Sequence, residues 1–238
     1  MKIRRLPETD LARIAPLSPH QQRSQLRQHK FGRPPFSYEP LRQSIYDVIN
    51  VAPDLFGATE PTSWEVVERL IRLRSKSEEE YKSNRSVAFS LHAYSISEGI
   101  RARRLEIPPL PLSLDIRVRY WWPFVMLIRG LPVIPFFDPR RTRRLTATGR
   151  RFVFSMMHQA IRVPDPDLSE VRLGIFQFDS AENGERTLKL YVEGGEPLYD
   201  FAELDEMIRN TYAIWAEVLI ERVQEAHRRG SGAQGPLI

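Results

Sequence analysis

The chain has 238 residues, 42% hydrophobic and 27% charged, enough for one large domain or two small ones around a real core. Lysine and arginine number 35 against 30 acids, giving a net charge of +5. With no cysteine, the composition excludes a disulfide framework and a thiolate zinc site, and it fits a reducing, cytoplasmic compartment.

The N-terminus, MKIRRLPETDLARIAP, carries charge with no continuous apolar run behind it, unlike a secretory signal. Ser18-Pro19-His20-Gln21 has the form of a capping box with proline at the first helical position, which predicts a helix over Pro19–Lys30. Pro34, Pro35 and Pro40 then forbid continuation. A short helix over Leu41–Asn50 places Leu41, Ile45, Val48 and Ile49 on one face. Thr62-Ser63-Trp64-Glu65 reads as a second capping box, opening a helix with Val66, Val67, Leu70, Ile71 and Leu73. SKSEEEYKSNRSVAFSLHAYSISEGI reads as another helix, ended near Gly99.

The second half alternates. Leu114–Trp122 shows period-two apolar positions at Leu114, Ile116, Val118 and Tyr120, a strand pattern. FVMLIRGLPVIPFFD predicts a hairpin turning at Arg129-Gly130. A helix over Ala147–Arg162 follows, then two strands, EVRLGIFQFD and RTLKLYVEGG, joined through Asn183-Gly184. A long helix begins at FAEL, with Leu204, Ile208, Tyr212, Trp215 and Leu219 at helical spacing. The most apolar run, Tyr120–Phe137, holds three prolines, an arginine and a glycine, so it reads as buried strands and no membrane span is expected. The predicted fold is α+β: a helical N-terminal part (1–104), then a small, mostly antiparallel sheet with flanking helices (105–228), then a disordered tail (229–238).

Charge is uneven. Residues 101–150 hold eleven arginines and three acids, a local balance of +8, whereas acids outnumber bases from Ser180 to Arg222. DPRRTRRLTATGRR concentrates Arg140, Arg141, Arg143, Arg144, Arg150 and Arg151 around the predicted start of a helix. Backbone N–H groups and guanidinium groups there suit phosphate or carboxylate. The partner could be nucleic acid, an acidic protein, or the chain's own carboxylates such as Asp115 and Asp138.

Signatures of catalysis are sparse. There is no P-loop, dinucleotide fingerprint, HExxH or GxSxG elbow. His20, His29, His92, His158 and His227 are scattered, without ligand spacing, so neither a metal nor a cofactor is expected. His158 reads as structural. Asp138 at a strand end, with Glu170 and Gln177 near a later strand, loosely resembles the placement of acids in a two-metal nuclease, but no Glu-x-Lys follows. A nucleic-acid-binding protein or degenerate nuclease-like domain is therefore the alternative to an interaction protein.

The segment INVAPDLFGATEPT sets a leucine and a phenylalanine side by side between turn signals. Pro53 holds Ala52 away from the helical region, so Ala52–Phe56 is expected to be extended. An extended Asp54-Leu55-Phe56 in a loop has the form of a short linear motif.

The blocks LARIAPLSP, GRPPFSYEPLR, PDLFG, VIPFFDPRR, RRFVFSMMH, RLGIFQFD and GPLI, in this order along nearly the whole chain, resemble the SocB family, the toxins of type VI toxin–antitoxin systems. The resemblance implies a non-enzymatic toxin that binds the bacterial β sliding clamp and blocks replication elongation. It also implies a SocA-like antitoxin that delivers the toxin to the ClpXP protease. Clamp-binding peptides follow a pattern near Gln-Leu-[Ser/Asp]-Leu-Phe. Laid on this chain, Asp54, Leu55 and Phe56 match, Pro53 takes the second place, and Ala52 stands where glutamine is usual. Weaker clamp binding than that of a glutamine-bearing relative is the physical expectation, since the lost side-chain hydrogen bonds are worth about 0.5–1.5 kcal/mol each.

Overall fold

The computed structural model describes residues 5–29, 37–52, 60–180, 185–194 and 196–231. Helices α1 (Glu8–Ile14), α2 (Pro19–Gln28) and α3 (Glu39–Val48) lead into a two-residue strand β1 (Val51–Ala52). Helices α4 (Trp64–Arg74) and α5 (Glu78–Ser97) follow, then β2 (Arg101–Arg104). A small hairpin, β3 (Leu110–Leu112) and β4 (Ile116–Val118), precedes the central hairpin β5 (Phe124–Ile128) and β6 (Leu131–Asp138). Helix α6 (Ala147–Met157) runs into a π turn over His158–Arg162. Strands β7 (Arg172–Ser180) and β8 (Arg186–Val192) and the long helix α7 (Phe201–Ser231) complete the chain. The fold is α+β, as the sequence predicts.

Six strands form one sheet in the order β1-β2-β5-β6-β7-β8. Three of its pairings are antiparallel; β1–β2 and β6–β7 are parallel, each requiring a helical crossover. Alternation along the strands divides the core into two layers. Phe124, Met126, Val133, Phe137, Phe176 and Phe178 pack with α3, α4 and α5. Ile134, Phe136, Leu173 and Ile175 pack on the other side with α1, α2, α6 and α7. Elements from the first hundred residues thus lie on both faces of the sheet.

Local chemistry explains several boundaries. Ser18 and Gln21 complete the capping box of α2 as predicted. The far end of α2 is held by α7, where Arg222 donates to the carbonyls of Leu26, Arg27 and His29 at 3.0, 3.0 and 2.7 Å. These are carbonyls that a helix end leaves without intrahelical partners. Arg129 and Gly130 both take positive φ, the two-residue loop that matches the twist of a hairpin.

Four expectations are corrected. Strand β4 is only Ile116–Val118, because Leu114 and Asp115 take positive φ in the turn before it. The N-cap of α4 is Ser63, one residue later than the predicted Thr62, and it makes no side-chain cap hydrogen bond. Pro40 does not precede the third helix but sits in the first turn of α3, where no N–H is needed. β1 and β2 place strands inside the stretch read as helical. Helix α7 extends to Ser231, and residues 232–238 lie outside the described residues, as do Asn183 and Gly184.

Candidate functional site

The predicted linear motif hangs from two roots. The first is β1, at one edge of the sheet, where Val51 pairs with Ala102 and Ala52 with Arg103. Buried Ile49 and Val51 fix this root, and Asn50 between them takes positive φ, a conformation asparagine tolerates. The second root is the start of α4. The imidazole Nε2 of His92 lies 2.8 Å from the carbonyl oxygen of Thr62. Trp64 meets Phe89 edge-on at 5.0 Å between ring centroids and His92 at 5.7 Å, so α5 carries an aromatic seat for the chain as it enters α4. Of the five motif residues, Ala52 ends β1; Pro53, Asp54, Leu55 and Phe56 lie outside the described residues.

The arginine run divides. Arg140 turns inward, its Nη1 2.8 Å from Asp10 Oδ1 and its Nε 3.8 Å from Asp138 Oδ1. Arg144 pairs with Asp179 and donates to the carbonyl of Phe178 at 3.4 Å. Arg150 donates to the Leu145 carbonyl and the Gln177 side chain at 3.3 and 3.4 Å, and it stacks 3.9 Å from the centre of the Tyr191 ring. Arg151 donates to the Pro197 carbonyl at 2.7 Å and stacks on Tyr199. Arg141 and Arg143 are exposed and make no hydrogen bond or ion pair among the described residues. Arg143 holds a positive φ in the turn before α6.

Asp138 anchors a sealed polar centre. It is fully buried, and its Oδ2 accepts from the Leu145 backbone at 2.9 Å and from Gln177 Nε2 at 3.0 Å. Gln177 Nε2 also donates to the Leu145 carbonyl at 3.1 Å, and its Cα lies opposite Asp138 in the β6–β7 register. The two residues thus tie the loop after β6 back onto β7. Neighbouring Arg13 also enters this layer; burial lowers its pKa below the usual guanidinium value, opposed first by Asp10. Glu170 follows the 3₁₀ turn over Pro166–Leu168, ahead of β7 and away from Asp138 in the strand register, so the acids of the nuclease-like reading do not converge.

Other features are slight. A cavity of about 150 Å³ between α6 and β8 is lined by Arg150, Arg151, Phe154, Tyr191, Glu193 and Leu198, well below the several hundred Å³ typical of ligand sites. Burial, then Arg162, push the His158 imidazole below its ordinary pKa. Among the described residues, no group of three or more His, Asp and Glu side chains could hold a metal ion, and no helix is long and apolar enough to cross a membrane.

Sequence reasoning passed over Trp64, Phe89 and His92 as a group, and it met Arg101 and Arg103 only as members of a basic segment. The apolar Trp64 and Phe89 were visible; their meeting depends on how α4 packs against α5.

Comparisons with known proteins align with this architecture over most of its length. The family profile described as "Sliding clamp-binding bacterial toxin SocB" matches residues 9–225. The DNA replication inhibitor toxin SocB of Caulobacter vibrioides (strain NA1000 / CB15N) is 36% identical over 232 residues, which span 98% of this chain and 97% of that protein. No solved structure matches. With a profile match running from α1 into α7 and a relative aligned end to end, the chain belongs to the SocB family of sliding clamp-binding bacterial toxins.

Proposed function

We propose that this chain blocks DNA replication by occupancy: the Ala52–Phe56 segment enters the peptide cleft of the bacterial β sliding clamp, with Leu55 and Phe56 as the buried anchors. The observation that carries this is family membership over nearly the full chain, together with an Asp-Leu-Phe triplet between the two roots described above. The relative's name describes a DNA replication inhibitor, and exclusion of a polymerase from a shared cleft accounts for such inhibition without chemistry. Burying a leucine and a phenylalanine contributes about 1.5–3 kcal/mol each. Holding Ala52 in β1 and Thr62 against His92 limits the freedom the segment loses on docking.

Control of the toxin by a SocA-like adaptor antitoxin and ClpXP belongs to the same proposal and rests on the family resemblance. The buried, hydrogen-bonded state of Asp138 speaks against the nuclease-like alternative, since the carboxylate is committed to Leu145 and Gln177. Within the arginine run, Arg141 and Arg143 are the exposed pair that the nucleic-acid alternative would have to use, with no part in the proposed clamp contact.

The test is binding of purified protein to its cognate clamp. Leu55→Ala/Phe56→Ala is expected to abolish measurable binding, since two anchors are lost together. Equal affinity of the double variant and the wild type sinks the proposal.

A further inference from the structure

Among the described residues, one face of the sheet is exposed along β2 and the turn end of the β5–β6 hairpin. Along β2, Ala102 points into the core with Met126, which leaves Arg101 and Arg103 on the opposite face. In the cross-strand register Arg101 lies beside Leu127, and Leu127 beside Pro132; Arg103 lies beside Val125. The core under α1, α2, α6 and α7 is built mainly on β6 and β7; on β5 it reaches only Val125, which is half-buried, and no β2 residue joins it. Arg101, Arg103, Leu127 and Pro132 are consequently exposed, with Leu127 at 44%. Arg101 and Arg103 make no hydrogen bond or ion pair among the described residues. By contrast, Arg104, on the inner face, stacks over Tyr46, and Arg129 at the hairpin turn is engaged by Glu98.

This patch adjoins the root of the motif. Ala52 is the neighbour of Arg103 in the β1–β2 pairing, so their backbones stand about 4.8 Å apart. Phe56 is four residues further on, and four residues span at most about 14 Å. Whatever grips Leu55 and Phe56 therefore comes within reach of the long side chains of Arg101 and Arg103. A peptide cleft cut into a large folded protein has walls beyond the cleft, and these walls must face some part of this chain.

We infer that the uncovered face of β2 and β5 is a second contact surface for the sliding clamp, on which Arg101 and Arg103 meet carboxylates beside the peptide cleft while Leu127 and Pro132 supply an apolar floor. The inference rests on the proposed docking of Leu55 and Phe56. Two unpaired cations beside an exposed leucine match the rim of a protein interface, where charges chiefly set association rate and salt dependence.

The experiment measures association and dissociation of the full chain with purified clamp, without DNA, across a salt series. Arg101→Glu/Arg103→Glu is expected to weaken affinity by about tenfold, mainly through slower association, and to flatten the salt dependence. Arg101→Ala/Arg103→Ala moves the same way by a smaller factor. Both variants should keep the wild-type unfolding midpoint, because the replaced side chains are exposed. Arg141→Glu/Arg143→Glu, an equal charge change elsewhere on the surface, should bind like the wild type. Wild-type affinity and salt slope in the Arg101/Arg103 variants overturn the inference. So does an equal loss in the Arg141/Arg143 variant, which marks a general charge effect, or a loss seen only when DNA is added, which assigns the arginines to nucleic acid. Leu55→Ala/Phe56→Ala separates the two levels: full binding there defeats the motif itself, whereas lost binding there with intact binding in Arg101→Glu/Arg103→Glu defeats only the second surface.

Discussion

His92 on α5 reaches across 2.8 Å to the carbonyl oxygen of Thr62, the residue before the cap of α4. The contact fixes the chain where it returns from the proposed docking segment, and the rings of Trp64 and Phe89 pack beside it. His92→Ala should cost about 1 kcal/mol of stability, the ordinary net worth of one such bond. The larger effect is local: amides near residues 60–64 should exchange faster with deuterium, and clamp affinity should fall severalfold, because more of the segment must be ordered on binding. Unchanged exchange in that stretch would show that His92 is incidental to the root.

Ala52→Gln should strengthen clamp binding. Ala52 stands at the place where the clamp-binding pattern has glutamine, and a side-chain amide offers donors and an acceptor that a methyl group lacks. One or two new hydrogen bonds at about 0.5–1.5 kcal/mol each correspond to roughly tenfold in affinity. The backbone of Ala52 belongs to β1, the edge strand of the sheet. Titration calorimetry of the two proteins against one clamp preparation reads the difference. A weaker Gln variant would mean that Ala52 does not occupy the first place of the pattern.

The elements that could be read from sequence are those whose cause is local. The capping box Ser18–Gln21 and the Arg129-Gly130 turn need only their immediate neighbours, and both appear where expected. β2 escaped because RARR shows no apolar alternation: its inner-face residues are a small alanine and an arginine, and its outer-face residues are both arginines. Cap Ser63 displaced Thr62 in a helix start where the Thr62 carbonyl is turned to His92, 30 residues away. The arginine run was conspicuous, but its division was not. Arg140 finds Asp10, 130 positions distant, so which arginines are spent inside the fold is a property of tertiary packing. The motif triplet was legible as residues, whereas the uncovered face beside it depends on the strand order β1-β2-β5.

Acid should loosen the contact between α3 and α5 through Glu80. Its carboxylate accepts from the Lys76 backbone at 2.7 Å and from the Ser37 backbone and hydroxyl at 3.0 and 2.8 Å. These bonds, the Lys76 N–H foremost, hold its pKa below the ordinary 4.5 despite the opposing effect of burial. The unfolded chain therefore takes up the proton at a higher pH than the folded one. The stabilisation is complete above the unfolded value and is lost as pH falls from about 4.5 through the depressed folded pKa. Glu80→Gln should lower stability at neutral pH and flatten the unfolding profile over that acid range. A wild-type slope in the variant would assign the acid sensitivity to other carboxylates.

Asp138→Ala should be among the most damaging single changes in the sheet, and damaging to stability alone. The substitution strips the Leu145 N–H and one Gln177 N–H of their acceptor and leaves Arg140 facing a buried void. Removing one member of a buried charge pair costs about 3–5 kcal/mol, and the 3.8 Å separation from Arg140 argues for the lower end. Asp138→Asn retains an oxygen that can accept both bonds, so its cost should be smaller, about 1–3 kcal/mol, from the lost charge beside Arg140, which keeps its pairing with Asp10. Urea unfolding should therefore rank wild type above Asn and Asn above Ala. Clamp binding measured well below the unfolding midpoint should be the same for all three, because the Asp138 centre lies under α6 and the proposed docking segment leaves from β1 at the opposite part of the sheet. Loss of binding by folded Asp138→Asn would tie this centre to function and reopen the role of the arginines around it.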